Sequence, residues 1–213
     1  MKNIFFIRHG ESRANVDISF KGENALTDTG MTQARVVAER FKHVKIDVIN
    51  ETSKARSKQT AKEIYGLHQD VQVYESDLFR ERRGDFELLY EFKDLPPEDI
   101  AAAMRKKLGM PGWEHGEQES FVHLKERARK ALDYLESLPH DHIAVVAHGV
   151  FFRFLIAYML LRDTLSEEQA AFMMNGMTMQ NTGITVCSFD PGKKAWKLIA
   201  WNDQSHVWDN WPF

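Results

Sequence analysis

Two short apolar runs stand out in a chain otherwise patterned for helices. Ile4-Phe5-Phe6-Ile7 and Ile143-Ala144-Val145-Val146-Ala147 are continuous rather than alternating, the pattern of strands buried on both faces. Each stops at a His-Gly pair: Arg8-His9-Gly10 after the first run and His148-Gly149 after the second. Further runs predict strands over 46–49 and 71–74, and a hairpin of strands over 184–189 and 195–201 around Pro191-Gly192. Between them lie helical patterns. Met31, Ala34, Val37, Ala38 and Phe41 recur at helical spacing behind Thr27, a good N-cap, and Asp28 suits the first turn. A helix over 54–65 turns Ala61, Ile64 and Tyr65 inward, and one over 120–138 puts Phe121, Leu124, Ala128, Leu132 and Leu135 on one face. A helix over 150–161 and a short one capped by Ser166 follow the second His-Gly pair. Strands alternating with helices predict an α/β fold of three layers, α/β/α, with a largely parallel central sheet.

The stretch over 77–117 breaks this rhythm. It is charged, holds Gly84, Pro96, Pro97, Pro111 and Trp113, and carries one helical pattern over 98–108. It reads as a lid or insertion within one catalytic domain spanning 1–213, since no linker composition marks a second domain.

In an open parallel sheet, ligands bind beyond the carboxyl ends of the strands. Two parallel strands ending in His-Gly would set His9 and His148 side by side there, with Arg8 adjacent. Arg56 falls four residues after Thr52, near the end of the next predicted strand. Two imidazoles and two guanidinium groups at one point call for an anion, and a phosphoryl group fits: arginine grips its oxygens bidentately, and its transfer needs charge stabilisation. Imidazole can serve as the nucleophile if one nitrogen is neutral and the other is held, for instance by a backbone carbonyl near Gly10. Ser12 and Asn15 add hydrogen-bonding groups close to the start of a helix, which favours anions. A leaving alkoxide needs an acid, and Glu81 is the first candidate in the central loop, with Asp77, Asp85 and Glu87 as alternatives.

Composition narrows the field. Of 213 residues, 43% are hydrophobic and the net charge is −3, so no overall basic field points to nucleic acid. The single cysteine, Cys187, lies in an apolar run, rules out an internal disulfide and reads as a core thiol. No apolar stretch approaches a membrane span, and 151–161 is interrupted by Arg153. No signal-peptide pattern opens the chain, so a cytoplasmic enzyme is expected. There is no His-Glu-x-x-His zinc motif, no Gly-x-Ser-x-Gly elbow and no Walker A loop, and neither a metal nor a cofactor is expected. Trp196, Trp201, Trp208 and Trp211 crowd the C-terminal end, either packing the hairpin or forming a homodimer surface.

These motifs resemble the histidine phosphatase superfamily, also called phosphoglycerate-mutase-like, over nearly the whole chain. Arg8-His9-Gly10-Glu11-Ser12 with Asn15 resembles its first motif, and Leu26-Thr27-x-x-Gly30 its next segment. Thr52-x-x-x-Arg56-x-x-x-Thr60-Ala61 is similar to its second arginine motif, with Thr52 in place of the usual Ser and Lys54 in place of an apolar residue. The segment from Leu78 through Glu81 to Phe86 resembles the acid motif. Glu119-Ser120-Phe121 with Arg127 resembles the Gly-Glu-Ser helix start, and Val146-Ala147-His148-Gly149 the second histidine motif. Asn181-Thr182-Gly183 and Asn202 with His206 also match. The resemblance implies a phosphohistidine on His9, a grip on the phosphoryl group by Arg8, Arg56 and His148 with help from Asn15, and Glu81 as proton donor and then base; Ser12 and Gly149 complete the expected phosphate-binding set. It implies no metal. The short central insertion, and the lack of an extended segment after Asn15, favour hydrolysis of a small phosphorylated metabolite, with a phosphoprotein substrate left open. A phosphoglycerate-type mutase and a non-catalytic phospho-ligand scaffold are the alternatives.

Overall fold

The computed structural model describes residues 1–17, 20, 23–82 and 119–207. Its order is β1 (Lys2–Arg8), α1 (Arg13–Val16), α2 (Asp28–Phe41), β2 (Val48–Glu51), α3 (Ala55–Tyr65), β3 (Gln72–Glu75), α4 (Phe121–Ser137), β4 (His142–Ala147), α5 (Gly149–Leu161), α6 (Glu167–Gly176), β5 (Ile184–Asp190) and β6 (Ala195–Asp203). Single 3₁₀ turns lie at Asp77–Phe79 and Arg162–Thr164. The pattern expected at 98–108, the acid candidates Asp85 and Glu87, and Trp208 and Trp211 lie outside the described residues.

Six strands form one sheet in the order β3-β2-β4-β1-β5-β6. The four strands from β3 to β1 are parallel, and β5 and β6 add an antiparallel edge. The sheet separates two apolar cores because strand side chains alternate between faces. Ile4, Phe6, Ile143, Val145 and Ala147 pack with α4 and α5 on one side, whereas Ile7, Ala144 and Val146 pack with α2 and α3 on the other. This is the three-layer α/β/α arrangement that the pattern predicts. The continuous apolar runs are continuous because both faces are covered.

Two strands run further along the chain than their apolar residues suggest. β2 starts at Val48 and continues through Asn50 and Glu51, which pair with Val145 and Val146 of β4. Inside the sheet, Asn50 Oδ1 accepts from the Tyr134 hydroxyl at 2.8 Å, while its Nδ2 is buried with no partner among the described residues. Ile46 is buried but precedes the strand, and Asp47 instead caps the start of β4, accepting from the N–H groups of Asp141 and His142. β3 occupies 72–75, one residue beyond the predicted 71–74, and is exposed throughout because it forms a sheet edge.

Capping follows the sequence signals. The Thr27 hydroxyl accepts from Gly30 N–H, Ser120 from His123 N–H and Ser166 from Gln169 N–H. Helix α5 is apolar nearly all round because it lies between sheet and helices. Its one arginine, Arg153, turns back along the helix to Gly149 O and across to the carbonyls of Met174 and Met177. Trp196 and Trp201 pack against the α4/α5 core. The Cys187 thiol is buried, and burial pushes its pKa up to about 12.

The two faces of α4 give a direct test. Leu132 is fully buried, and its replacement by Ala is expected to cost about 2–5 kcal/mol in urea unfolding. Val122 is 70% exposed, and the same change there should stay within about 0.5 kcal/mol.

Candidate active site

The chain leaves β1 toward β2 on one side and leaves β4 toward β5 on the other, so the order reverses between the adjacent strands β1 and β4. Ligands in open α/β sheets bind at such a point, beyond the strand ends. Register sets what meets there. Arg8 is opposite Ala147, so the residues that follow, His9 and His148, emerge side by side. Their ring centroids are 5.2 Å apart, edge to face.

His9 is 3% exposed and held at both nitrogens. Its Nδ1 lies 2.6 Å from the carbonyl oxygen of Gly10, and its Nε2 lies 3.0 Å from Nε of Arg56, which donates. Arginine has no acceptor to offer, so Nε2 carries the lone pair and Nδ1 the hydrogen. The result is a neutral imidazole with its lone-pair nitrogen aimed at a guanidinium. Burial first, then the charges of Arg56 and Arg8, hold its pKa well below the ordinary imidazole value.

His148 is fully buried and is the N-cap residue of α5. Its Nε2 lies 3.0 Å from the Thr52 hydroxyl at the end of β2. That hydroxyl also accepts from Lys54 N–H; where it donates its own hydrogen to Nε2, His148 carries its proton on Nδ1. Nδ1 is buried with no hydrogen-bond partner among the described residues. Burial and the charge of Arg56 hold this pKa well below its ordinary value too.

Helix α3 delivers Arg56 and Thr60 from one face, four residues apart. Thr60 accepts from Gly10 N–H at 3.1 Å, which fixes the turn after His9. Gly10 and Gly30 are in close backbone contact: a Cβ on Gly10 would stand 2.5 Å from Gly30 O, so this crossing of the β1 turn and the head of α2 has no room for a side chain. Arg8 reaches the carbonyl of Met179 through Nη1 and lies across Gly149, where an added Cβ would meet its Nε at 3.1 Å. Gly149 therefore makes room for the Arg8 guanidinium.

Ser12 and Asn15 serve the turn. Ser12 is fully buried, and its hydroxyl and N–H both donate to Asn15 Oδ1 at 3.0 Å. Asn15 Oδ1 also accepts from Asn181 Nδ2, which donates as well to His9 O. Sequence reasoning gave Asn181 no role; its place beside His9 comes from the β5 approach, 172 residues away in the chain. The neighbouring Thr182 holds a left-handed backbone, φ 58°, and donates its N–H to Arg8 O. For a β-branched residue that conformation is strained, and here it serves the β1 end.

Glu81 lies at the head of α5. Its Oε1 accepts from Phe151 N–H at 2.9 Å and from Arg82 N–H at 3.0 Å, and its Oε2 from Val150 N–H at 3.3 Å. It is close enough for its charge to act on Arg8 and Arg56. Asp77, the other described acid candidate, instead accepts from the Ser53 hydroxyl on the exposed side. Among the described residues, no group of three or more His, Cys, Asp or Glu side chains is placed to hold a metal ion, and no helix is long and apolar enough to cross a membrane.

The buried neutral imidazoles tie stability to pH. In the unfolded chain both gain protons near pH 6.5, whereas in the folded chain they resist them. Stability is therefore full above about pH 6.5 and falls as pH drops below it, by up to about 1.4 kcal/mol per unit for each group. Urea unfolding should give a lower free energy at about pH 5.5 than at about pH 7.5. A His9→Asn/His148→Gln double variant should lose most of that difference.

Comparison with known proteins bears on the whole chain. The family model described as "Histidine phosphatase superfamily (branch 1)" matches residues 4–204. A relative from Proteus mirabilis, "Probable phosphoglycerate mutase GpmB", is 27% identical over 220 residues, 98% of this chain and 96% of its own. Among solved structures, phosphoserine phosphatase from Entamoeba histolytica, in complex with 3-phosphoglyceric acid, superposes with a TM-score of 0.73 at 24% identity, covering 97% of this chain and all of its own. Mycobacterial glucosyl-3-phosphoglycerate phosphatase, complexed with VO3, gives a TM-score of 0.73 at 24% identity, covering 96% and 100%. These two have the same fold. With its six-stranded sheet, its strand-end histidine pair and a family match across almost its full length, the chain belongs to the histidine phosphatase superfamily, branch 1.

Proposed function

We propose that the protein is a phosphomonoesterase that works without a metal, through a phosphohistidine on His9, and acts on small phosphorylated metabolites. The observation that carries this reading is the state of His9: neutral, held at Nδ1 by the Gly10 carbonyl, and presenting an Nε2 lone pair to Arg56.

The chemistry follows from those contacts. When a phosphate monoester enters, its oxygens compete for Arg56, and the guanidinium exchanges the imidazole lone pair for a bidentate grip on the anion. That exchange frees Nε2 to attack phosphorus. Arg8 and the Nδ1–H of His148 hold the remaining oxygens as charge redistributes. Starting from a substrate complex in which Glu81 is protonated, the P–O bond to the leaving group breaks as N–P forms, and the leaving alkoxide takes that proton from the Glu81 carboxyl. The resulting carboxylate then removes a proton from water, the water oxygen bonds to phosphorus, the N–P bond breaks, and inorganic phosphate leaves with His9 neutral again.

Support for a small acidic substrate comes from the mouth of the site and from relatives. Lys54 is exposed at the head of α3, two residues before Arg56, and its charge is felt by His148. The Entamoeba phosphatase is seen with 3-phosphoglyceric acid and with phosphoserine, both carboxylated phosphate esters. The Proteus relative favours a second reading, transfer of phosphate between carbons of a phosphoglycerate. Hydrolysis remains the better fit to a short central insertion.

The test is phosphate release from a panel of small phosphomonoesters in EDTA, comparing wild type with His9→Ala. Release that persists in EDTA and drops to background in the variant is expected, with an acid-labile phosphoryl group trapped on the wild type alone. Equal release from both proteins overturns the role of His9. Conversion of 3- to 2-phosphoglycerate without net release selects the mutase.

A further inference from the structure

Arg127 is a buried cation on a helix face that is otherwise apolar. Its neighbours there, Leu124, Ala128, Ala131, Leu132 and Leu135, form the core under the sheet, yet Arg127 is only 8% exposed. The guanidinium uses every nitrogen. Nε and Nη2 each lie 2.6 Å from a carboxylate oxygen of Glu119, a bidentate pair, and Nη1 donates to Leu78 O at 3.0 Å and Arg80 O at 2.8 Å. Its plane lies against Phe151, with Cζ 3.8 Å from the ring centroid.

Every one of these contacts converges on Glu81. The carbonyls of Leu78 and Arg80 belong to the segment that leads into it. The residues on either side of Glu81 are tied to Glu119: Arg80 through Nη2 to Oε1 at 3.0 Å, and Arg82 through Nε and Nη2 to the Glu119 carbonyl at 3.2 and 3.1 Å. Phe151, on which Arg127 rests, donates its N–H to Glu81 Oε1. One guanidinium thus fixes both the backbone that carries the carboxyl and the helix end that receives it. As a stabilising device this is a poor choice, since a buried ion pair is commonly matched or bettered by well-packed apolar side chains. As a placing device it is effective, because arginine's planar fork meets a carboxylate and two carbonyls at once and a lysine cannot.

We infer that Arg127 and Glu119 are positioning residues for proton transfer: together they hold the Glu81 carboxyl at the head of α5, beside His148, within reach of the leaving oxygen. This rests on the reading of Glu81 as proton donor. A misplaced donor leaves phosphoryl binding intact but fails to protonate a poor leaving group. The loss should therefore depend on the ester.

The experiment uses p-nitrophenyl phosphate, whose phenolate departs unaided, and a simple alkyl phosphate, whose alkoxide needs a proton. The readout is kcat/KM, which reports the steps through departure of the leaving group and not the later attack of water. Glu81→Gln should lose about 10²–10⁴-fold on the alkyl ester and far less on the aryl ester. Arg127→Lys and Glu119→Gln should each lose about tenfold or more on the alkyl ester and less than about threefold on the aryl ester. Adding Arg127→Lys to Glu81→Gln should cost nothing further on the alkyl ester, because both act through one carboxyl. The two single variants open the clamp from opposite ends, so if one fails to fold by thermal unfolding the other decides. If Glu81→Gln discriminates between the esters but the clamp variants lower both alike, or neither, the inference is overturned. A wild type inert toward both esters, or a Glu81→Gln variant that loses equally on both, removes the underlying reading and the clamp's role with it.

Discussion

Two arginines and two histidines are drawn to one end of this sheet, and the arrangement holds because the imidazoles stay neutral. The contact that expresses this is Arg56 Nε donating to His9 Nε2. A protonated His9 would put a third positive charge against Arg8 and Arg56 where His9 and Arg56 are both buried and little screening is available. Burial and the arginines push against the same proton, so a single state survives. The surrounding structure serves this balance. Gly10 supplies the carbonyl for Nδ1, Thr60 fixes that turn, and Thr182 and Asn181 secure the backbone of Arg8 and His9 from the far side.

Glu81 is the counterweight. Its carboxyl is near enough for its charge to act on Arg8, Arg56 and Arg127, and it meets the N–H groups that α5 leaves unpaired in its first turn. The head of α5 therefore carries His148 and receives Glu81, so two of the groups assigned to the chemistry share one helix terminus. This concentrates the site onto rigid elements: the ends of β1, β2 and β4 and the heads of α3 and α5. Glu81 is brought in from a connecting segment, and the backbone that leads into it is held by the buried Arg127 through the carbonyls of Leu78 and Arg80.

Much of this was legible from the sequence because it is local. Apolar runs ending in His-Gly located β1 and β4, helical periodicity located α2, α3 and α4, and Thr27, Ser120 and Ser166 marked helix starts. What escaped was decided by partners distant in the chain. The polar end of β2 is a strand because β4 and β3 pair with Asn50 and Glu51 on either side, and Tyr134 donates to the Asn50 oxygen. Ser12 and Asn15 read as ligands for an anion, and their places depend on distant partners as well: the Asn15 oxygen takes bonds from Ser12 and from Asn181. Arg127 sits at a position whose periodicity marks it for the core, and nothing nearby in sequence announces two carbonyls 47 and 49 residues away.

The pairing of Arg8 with Ala147 has a consequence for how such a chain can change over evolutionary time. Side chains along a strand alternate between faces, so inserting or deleting one residue in β1 or β4 would reverse the outlook of everything beyond it. His9 and His148 would part company even though both remained in the chain. Gains and losses of length must therefore be confined to the connections, while the two strands and the turns after them change only by substitution. A new member of this lineage can vary what surrounds the imidazole pair, but not the count of residues that leads to it.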